Sequence, residues 1–111
     1  MDTLENYCQI IQKVLAQYTN ISYANVDVQN EAIFDQTNDR YCVISGGWDE
    51  VRRIHGCLIH IDIINGKVWI QRDDTEDGIA YELENAGIPK SSIVLGFKNP
   101  EVRQYTDYAV A

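Results

Sequence analysis

His55-Gly56-Cys57-Leu58-Ile59-His60-Ile61-Asp62-Ile63-Ile64-Asn65-Gly66-Lys67-Val68-Trp69-Ile70-Gln71-Arg72 is the stretch whose reading decides the fold. Two strand-like runs flank Asn65-Gly66, the dipeptide suited to a two-residue turn with both central residues at positive φ. Such a turn pairs Ile64 with Lys67, Ile63 with Val68, Asp62 with Trp69, Ile61 with Ile70 and His60 with Gln71. Side chains alternate between the faces of a strand. Cys57, Ile59, Ile61, Ile63, Val68 and Ile70 therefore share one face, and His60, Asp62, Ile64, Lys67, Trp69 and Gln71 the other. The first face is aliphatic and the second is mixed, which predicts an antiparallel sheet covered on one side only. A slip of one residue would expose Ile59, Ile61 and Ile63, each worth about 1.5–3 kcal/mol when buried, so the register is well fixed.

Before the hairpin, residues 2–20 carry Leu4, Tyr7, Cys8, Ile11, Val14, Leu15 and Tyr18 at steps of three and four, the stripe of an amphipathic helix. Asp2 with Glu5 fits a capping box. The stripe is expected to lie on the aliphatic face of the sheet. Residues 26–35 read as a first strand, with Val26, Val28, Ala32 and Phe34 in alternation and Ile33 breaking the pattern. Gln36-Thr37-Asn38-Asp39 is turn chemistry. Residues 40–45 form a second strand, and a loop begins at Gly46-Gly47, where a bulge or a close backbone approach needs glycine. Four consecutive strands make a meander.

After Gln71 the pattern changes. Ile79, Ala80, Leu83 and Ala86 have helical spacing, Gly87 sits at a C-terminal cap and Pro89 follows as a stop. Ile93-Val94-Leu95-Gly96-Phe97 reads as an extra strand or a buried connector. Asn99-Pro100-Glu101 has the order of an N-cap, a first-turn proline and a first-turn acid, starting a short helix. The apolar tail 105–111 is expected to dock on the domain or on a partner.

The totals narrow the class. The chain has 111 residues, 45% of them hydrophobic, which suits one domain with a real core over 1–111. No apolar run reaches about 18 residues, so no membrane span is predicted. Met1-Asp2-Thr3-Leu4-Glu5 lacks a signal-peptide pattern, which points to the cytoplasm. Cys8, Cys42 and Cys57 are few and far apart, and each is expected on an apolar face as a buried thiol. With 17 acids against 9 bases and a net charge of −8, the chain is poorly suited to bind DNA by itself. A basic protein partner fits better.

Candidate chemistry is sparse. Asp73, Asp74, Glu76 and Asp77 offer the oxygen ligands that Mg²⁺ or Ca²⁺ prefers, but their spacing lacks the glycine and glutamate of a calcium loop. Helix initiation accounts for them more simply, with Asp74 or Thr75 as cap. His60 and Asp62 share a face and suit a general base or half a metal site, although Asp62 equally serves to fix the His60 tautomer. No nucleophile elbow, phosphate loop or Cys-x-x-Cys is present, and no cofactor is implied. Trp48, Arg52, Arg53 and Trp69 are the interaction candidates, since aromatic and Arg side chains dominate interface hot spots. Equally, Trp48 closes the sheet edge and Trp69 covers its outer face. A second copy covering that face would touch Leu58, His60, Asp62, Ile64 and Trp69.

Arg53 to Gln71, followed by Asp74-Thr75-Glu76-Asp77-Gly78-Ile79-Ala80, resembles the XisI family, the fdxN element excision controlling factors of cyanobacteria. Asp39-Arg40-Tyr41 with Gly47-Trp48-Asp49, Ala86-Gly87-Ile88-Pro89-Lys90, Ile93 to Phe97 and Pro100-Glu101-Val102-Arg103 continue the resemblance almost end to end. It implies a role in programmed DNA rearrangement: excising an element from a nitrogen-fixation locus during heterocyst differentiation, with strand exchange done by a separate recombinase. It also implies a companion, XisH, which resembles restriction-type nucleases. It supplies no catalytic residues.

The expectation is therefore an α+β domain: an N-terminal amphipathic helix packed on a four-stranded antiparallel meander sheet, followed by two shorter C-terminal helices. Its expected role is that of a non-enzymatic accessory factor. It would bind a XisH-like protein through Trp48, Arg52, Arg53, His60, Asp62 and Trp69, form a homodimer as a further option, and touch DNA only indirectly. One alternative is direct DNA binding through Arg52, Arg53, Lys67 and Arg72. The other is a metal-dependent enzyme using His60, Asp62 and the acidic cluster from Asp73 to Asp77.

Overall fold

The computed structural model describes residues 3–111; Asp2, and with it the expected capping box, lies outside the described residues. The central hairpin forms as its turn chemistry requires. Asn65 and Gly66 take φ of 51° and 79°, and β3 (Arg52–Ile64) pairs antiparallel with β4 (Lys67–Asp73) through Ile64–Lys67, Ile63–Val68, Asp62–Trp69 and Ile61–Ile70.

The fifth predicted pair differs. His60 faces Arg72 instead of Gln71, because β4 carries a bulge at Gln71. A second bulge interrupts the pairing of β3 with β2 (Arg40–Asp49): Val43 faces Ile59 but Ile44 faces Cys57, which leaves Leu58 as the extra residue. One extra residue reverses face parity along a strand. Ile59, Ile61 and Ile63 keep the predicted inner face, whereas Cys57 moves to the outer face opposite Ile44, and Leu58 packs against the core instead of facing outward.

The sheet order is β1-β2-β3-β4-β5, with β1 at Asp27–Asp35 and β5 at Ile93–Leu95. The expected four-stranded antiparallel meander is thus extended by a fifth strand, and β5 runs parallel to β4. A parallel neighbour needs a crossover. The chain from Asp74 to Ser92 supplies it, carrying α2 (Ile79–Asn85) over the inner face, where Ile79 and Leu83 are fully buried. The predicted loop at Gly46-Gly47 is instead strand: β2 runs on to Asp49. Gly47 serves the close backbone approach, since a Cβ there would lie 1.9 Å from the Asp27 carbonyl oxygen.

α1 (Thr3–Ala16) is shorter than its apolar stripe, and one 3₁₀ turn over Gln17–Asn20 carries Tyr18 onward. Tyr7, Ile11, Val14 and Leu15 bury against Tyr41, Val43, Ile59, Ile61 and Ile70, so the helix lies on the aliphatic face as its periodicity demands. Leu4, at the start of the stripe, stays exposed. α2 ends in the expected glycine cap, with Gly87 at φ 118° and the Ile88 amide bonded to the Leu83 carbonyl. α3 (Pro100–Arg103) begins at Asn99, whose side chain accepts from the Glu101 amide at 2.9 Å. The tail docks on the domain: the Ala109 amide bonds the Ile93 carbonyl beside β5. No helix among the described residues is long and apolar enough to cross a membrane.

Candidate interaction surface on the outer sheet face

Helices α1 and α2 cover one side of the sheet. On the other, the alternation places Ile33 on β1, Arg40, Cys42, Ile44 and Trp48 on β2, Arg53, Cys57, His60 and Asp62 on β3, and Trp69 on β4. Of the six predicted interaction residues, Trp48, Arg53, His60, Asp62 and Trp69 therefore share this outer face. Arg52 does not: it pairs with Asp49, one position out of phase.

Asp62 is the centre of the face and is only 7% exposed. An ionised carboxylate only accepts hydrogen bonds, so every neighbour must donate. His60 Nε2 donates to Oδ1 at 2.8 Å, Arg40 Nε lies 3.6 Å from the same oxygen, and Gln71 Nε2 donates to Oδ2 at 3.3 Å. The bulge at Gln71 is what brings that amide over Asp62 instead of opposite His60. With its Nε2–H committed, His60 is held in place by the carboxylate. Around it sit half-buried Cys42, Ile44, Cys57 and Ile64, and Ile33 is 56% exposed. Burial pushes the Cys42 and Cys57 thiols upward, which keeps both in the neutral, weakly reactive form.

The two tryptophans have different settings. Trp48 is half exposed near the end of the β2–β3 hairpin, with the Arg53 guanidinium 5.4 Å over its ring and Arg53 Nη1 bonded to the Gly47 carbonyl. Trp69 lies under Arg103, 5.1 Å away. Arg103 also donates to the carbonyls of Leu95, Gly96 and Lys98 and so folds the C-terminal segment over β4 and β5. Trp69 thus covers the sheet, and Trp48 remains available. Arg40, Gln71 and Arg103 were not among the sequence candidates. Their signal was the outward phase of Arg40 and Asp62, which a two-strand reading of the hairpin does not reach.

The acidic cluster resolves into separate tasks. Asp73, not Asp74 or Thr75, opens α2: its carboxylate accepts from the Ile79 amide at 2.8 Å and the Thr75 amide at 3.0 Å. Asp74 pairs with Arg72 at 2.6 Å. Asp73 faces the helices while His60 and Asp62 face outward, so the proposed metal constellation is not assembled. Among the described residues no group of three or more His, Cys, Asp or Glu stands ready to hold a metal. The four cations of the DNA-binding alternative do not form one patch either. Arg52 begins β3 and Lys67, on β4, pairs with Ile64 at its other end, about 40 Å away at the strand rise per residue, and Arg52 and Arg72 are paired with Asp49 and Asp74.

These features define a small α+β domain with a helix-covered inner face and an outer sheet face built around a hydrogen-bonded carboxylate. The chain belongs to the XisI protein family, whose model matches residues 1–110. It is similar in structure to a XisI-like protein from Anabaena variabilis ATCC 29413, with 39% identity, a TM-score of 0.86, and coverage of 98% of this chain and 100% of that one. It is also similar to the protein described as fdxN element excision controlling factor XisI from the same organism, with 35% identity, a TM-score of 0.83 and coverage of 99% and 100%. No curated protein matches the chain.

Proposed function

We propose that this protein is a controlling factor in DNA-element excision that acts without catalysis, by seating a XisH-like protein on its outer sheet face. Family membership and the similarity to an fdxN element excision controlling factor support the process. The observation that carries the mode of action is the apolar strip of exposed Ile33 with half-buried Cys42 and Ile44, on the same face as the engaged Asp62 carboxylate. Apolar area ringed by satisfied polar groups is the make-up of a protein-binding patch. The His60–Asp62 pair orients that patch, because both Asp62 oxygens already have partners and lose none when water leaves. Trp48 with its stacked Arg53 extends the same face toward the hairpin end.

Co-expression with the XisH-like protein tests the reading. A stable complex at micromolar concentration is expected, as for an interface of ordinary size. Failure to co-purify at that concentration sinks it. Direct DNA binding is tested beside it: retardation of duplex DNA by this protein alone at about 50 mM salt would favour that alternative instead.

A further inference from the structure

Along the outward positions of β2, Arg40, Cys42, Ile44 and Trp48 carry side chains and Gly46 does not. Glycine weakens the interior of a strand, so one there calls for a reason. Gly47 has its reason in the fold, the close approach to the Asp27 carbonyl. Gly46 has no such need. Its φ lies outside the left-handed region, and a Cβ there would first meet the His55 ring, at an ordinary 3.8 Å.

The missing side chain leaves a hollow on the outer sheet face. Gly46 lies between Ile44 and Trp48 along its strand, and between Gln29 of β1 and His55 of β3 across it. Glu31 and Arg53 complete the wall around a space of about 280 Å³. The two sides of that wall differ. Arg53 is already engaged at the Trp48 end, where its guanidinium lies over the ring and donates to the Gly47 carbonyl. On the β1 side Gln29 and Glu31 are exposed, and neither side chain has a hydrogen-bond or ion-pair partner among the described residues. Asp27, the next outward residue on β1, has no cation beside it among them either.

We infer that the hollow over Gly46 is the anchor point of the partner protein and takes an arginine side chain from it. The inference rests on the outer-face reading above and supplies the chemistry of the contact. The charge of the occupant follows from the free Glu31 and Asp27 carboxylates, in a chain of net charge −8. Its shape follows from the acceptors. Gln29 and Glu31 stand about 7 Å apart along one face of β1, two residues at the strand rise. A planar guanidinium holds its donors in a fork, so it serves a carboxylate with two of them and a neighbouring amide oxygen with a third, which a point-like ammonium does not. The aliphatic stem of the arginine lies on Ile44, and the bare Gly46 backbone gives it the room that a side chain there would fill. Arg53 keeps its place at the opposite end, turned to the Trp48 ring and the Gly47 carbonyl.

Two variants of the full chain test the inference, each checked for native circular dichroism. Gly46→Val fills the hollow with a residue that suits a strand, and Glu31→Gln removes the charge while keeping the shape. Each is expected to weaken binding of the XisH-like protein by roughly tenfold or more. Full-strength binding by either variant overturns the inference; if Ile33→Arg weakens the same complex, the outer-face reading survives without it. A second readout needs no partner. N-acetyl-arginine amide, titrated into the millimolar range and followed by amide NMR, is expected to shift the Gly46, Glu31 and His55 signals of the natural protein saturably and to leave those of Gly46→Val in place. Such shifts in a protein that forms no complex would sink the partner reading and keep the hollow as an arginine site. No saturable shift, or an equal response to N-acetyl-lysine amide, overturns the inference.

Discussion

Asp62 and His60, two residues apart on β3, are joined by a 2.8 Å hydrogen bond on the side of the sheet that no helix covers. Two more donors, Arg40 and Gln71, converge on the same carboxylate. Removing the acceptor leaves the His60 and Gln71 donors without their partner and Arg40 without its counter-charge. Asp62→Ala is therefore expected to cost about 1–3 kcal/mol of unfolding free energy, and Asp62→Asn less, since the amide oxygen still accepts. Urea denaturation measures both; an unchanged midpoint for Asp62→Ala would show that the network contributes nothing to folding.

Asp73 and Asp74 are neighbours with different tasks. Asp73 accepts from the Ile79 amide at the start of α2 and from the Thr75 amide in the loop before it, and Asp74 makes an exposed ion pair with Arg72. Asp73→Ala is expected to destabilise by about 1–2 kcal/mol, the value of a lost helix cap. Asp74→Ala is expected to change stability by less than about 1 kcal/mol. Denaturation midpoints in the reverse order would contradict the assignment.

Two glycines separate steric need from freedom. At Gly47 a methyl group would collide with the Asp27 carbonyl, whereas at Gly56 it meets open space. Gly47→Ala is expected to cost more than about 2 kcal/mol, through parting of the β1–β2 ladder, and Gly56→Ala to stay within about 0.5 kcal/mol. Amide exchange in β1 reads the first effect directly.

Tyr108 donates to the Glu84 carboxylate at 2.5 Å, and burial together with that bond pushes its hydroxyl up to about 12 from 10.0. A folded pKa above the unfolded one means the protonated form is favoured in the folded state. Its contribution is complete below pH 10 and is lost as pH rises toward 12. Stability is expected to fall across that window, and less steeply in Tyr108→Phe. Tyr18 at Glu82 and Tyr41 at Cys8 and Asp39 are shifted upward by burial in the same way, so the variant softens the decline without abolishing it.

The amino-acid pattern carried the core because it is periodic. The helix stripe, Asn65-Gly66, the Gly87 cap and the Asn99-Pro100 helix start each rest on local geometry that the chain obeys. The bulges at Leu58 and Gln71 were not legible, since nothing in their composition marks an extra residue. They sent Cys57 to the wrong face and hid Gln71 as a donor to Asp62. β5 was ambiguous because three apolar residues fit a strand and a buried connector equally, and only the crossover through α2 decides. Asp73 was passed over as a cap because it lies six residues before the amide it satisfies, outside any capping box. The shared outer face of His60, Asp62 and Trp69 did follow from alternation, whereas Trp48 and Arg53 join it only because β2 runs on to Asp49 and the bulge at Leu58 reverses the phase of β3. The escape of Arg52 and the covering of Trp69 by Arg103 required three dimensions.

The most direct test of the interaction surface is the affinity of the XisH-like protein for Ile33→Arg. Ile33 is exposed on the outer face and takes no part in the Asp62 network, so the variant should fold normally. Binding weakened by roughly tenfold or more, with Val51→Glu at the hairpin turn binding like the natural protein, is the predicted result. Undiminished binding by Ile33→Arg would contradict the assignment of the partner to the outer sheet face.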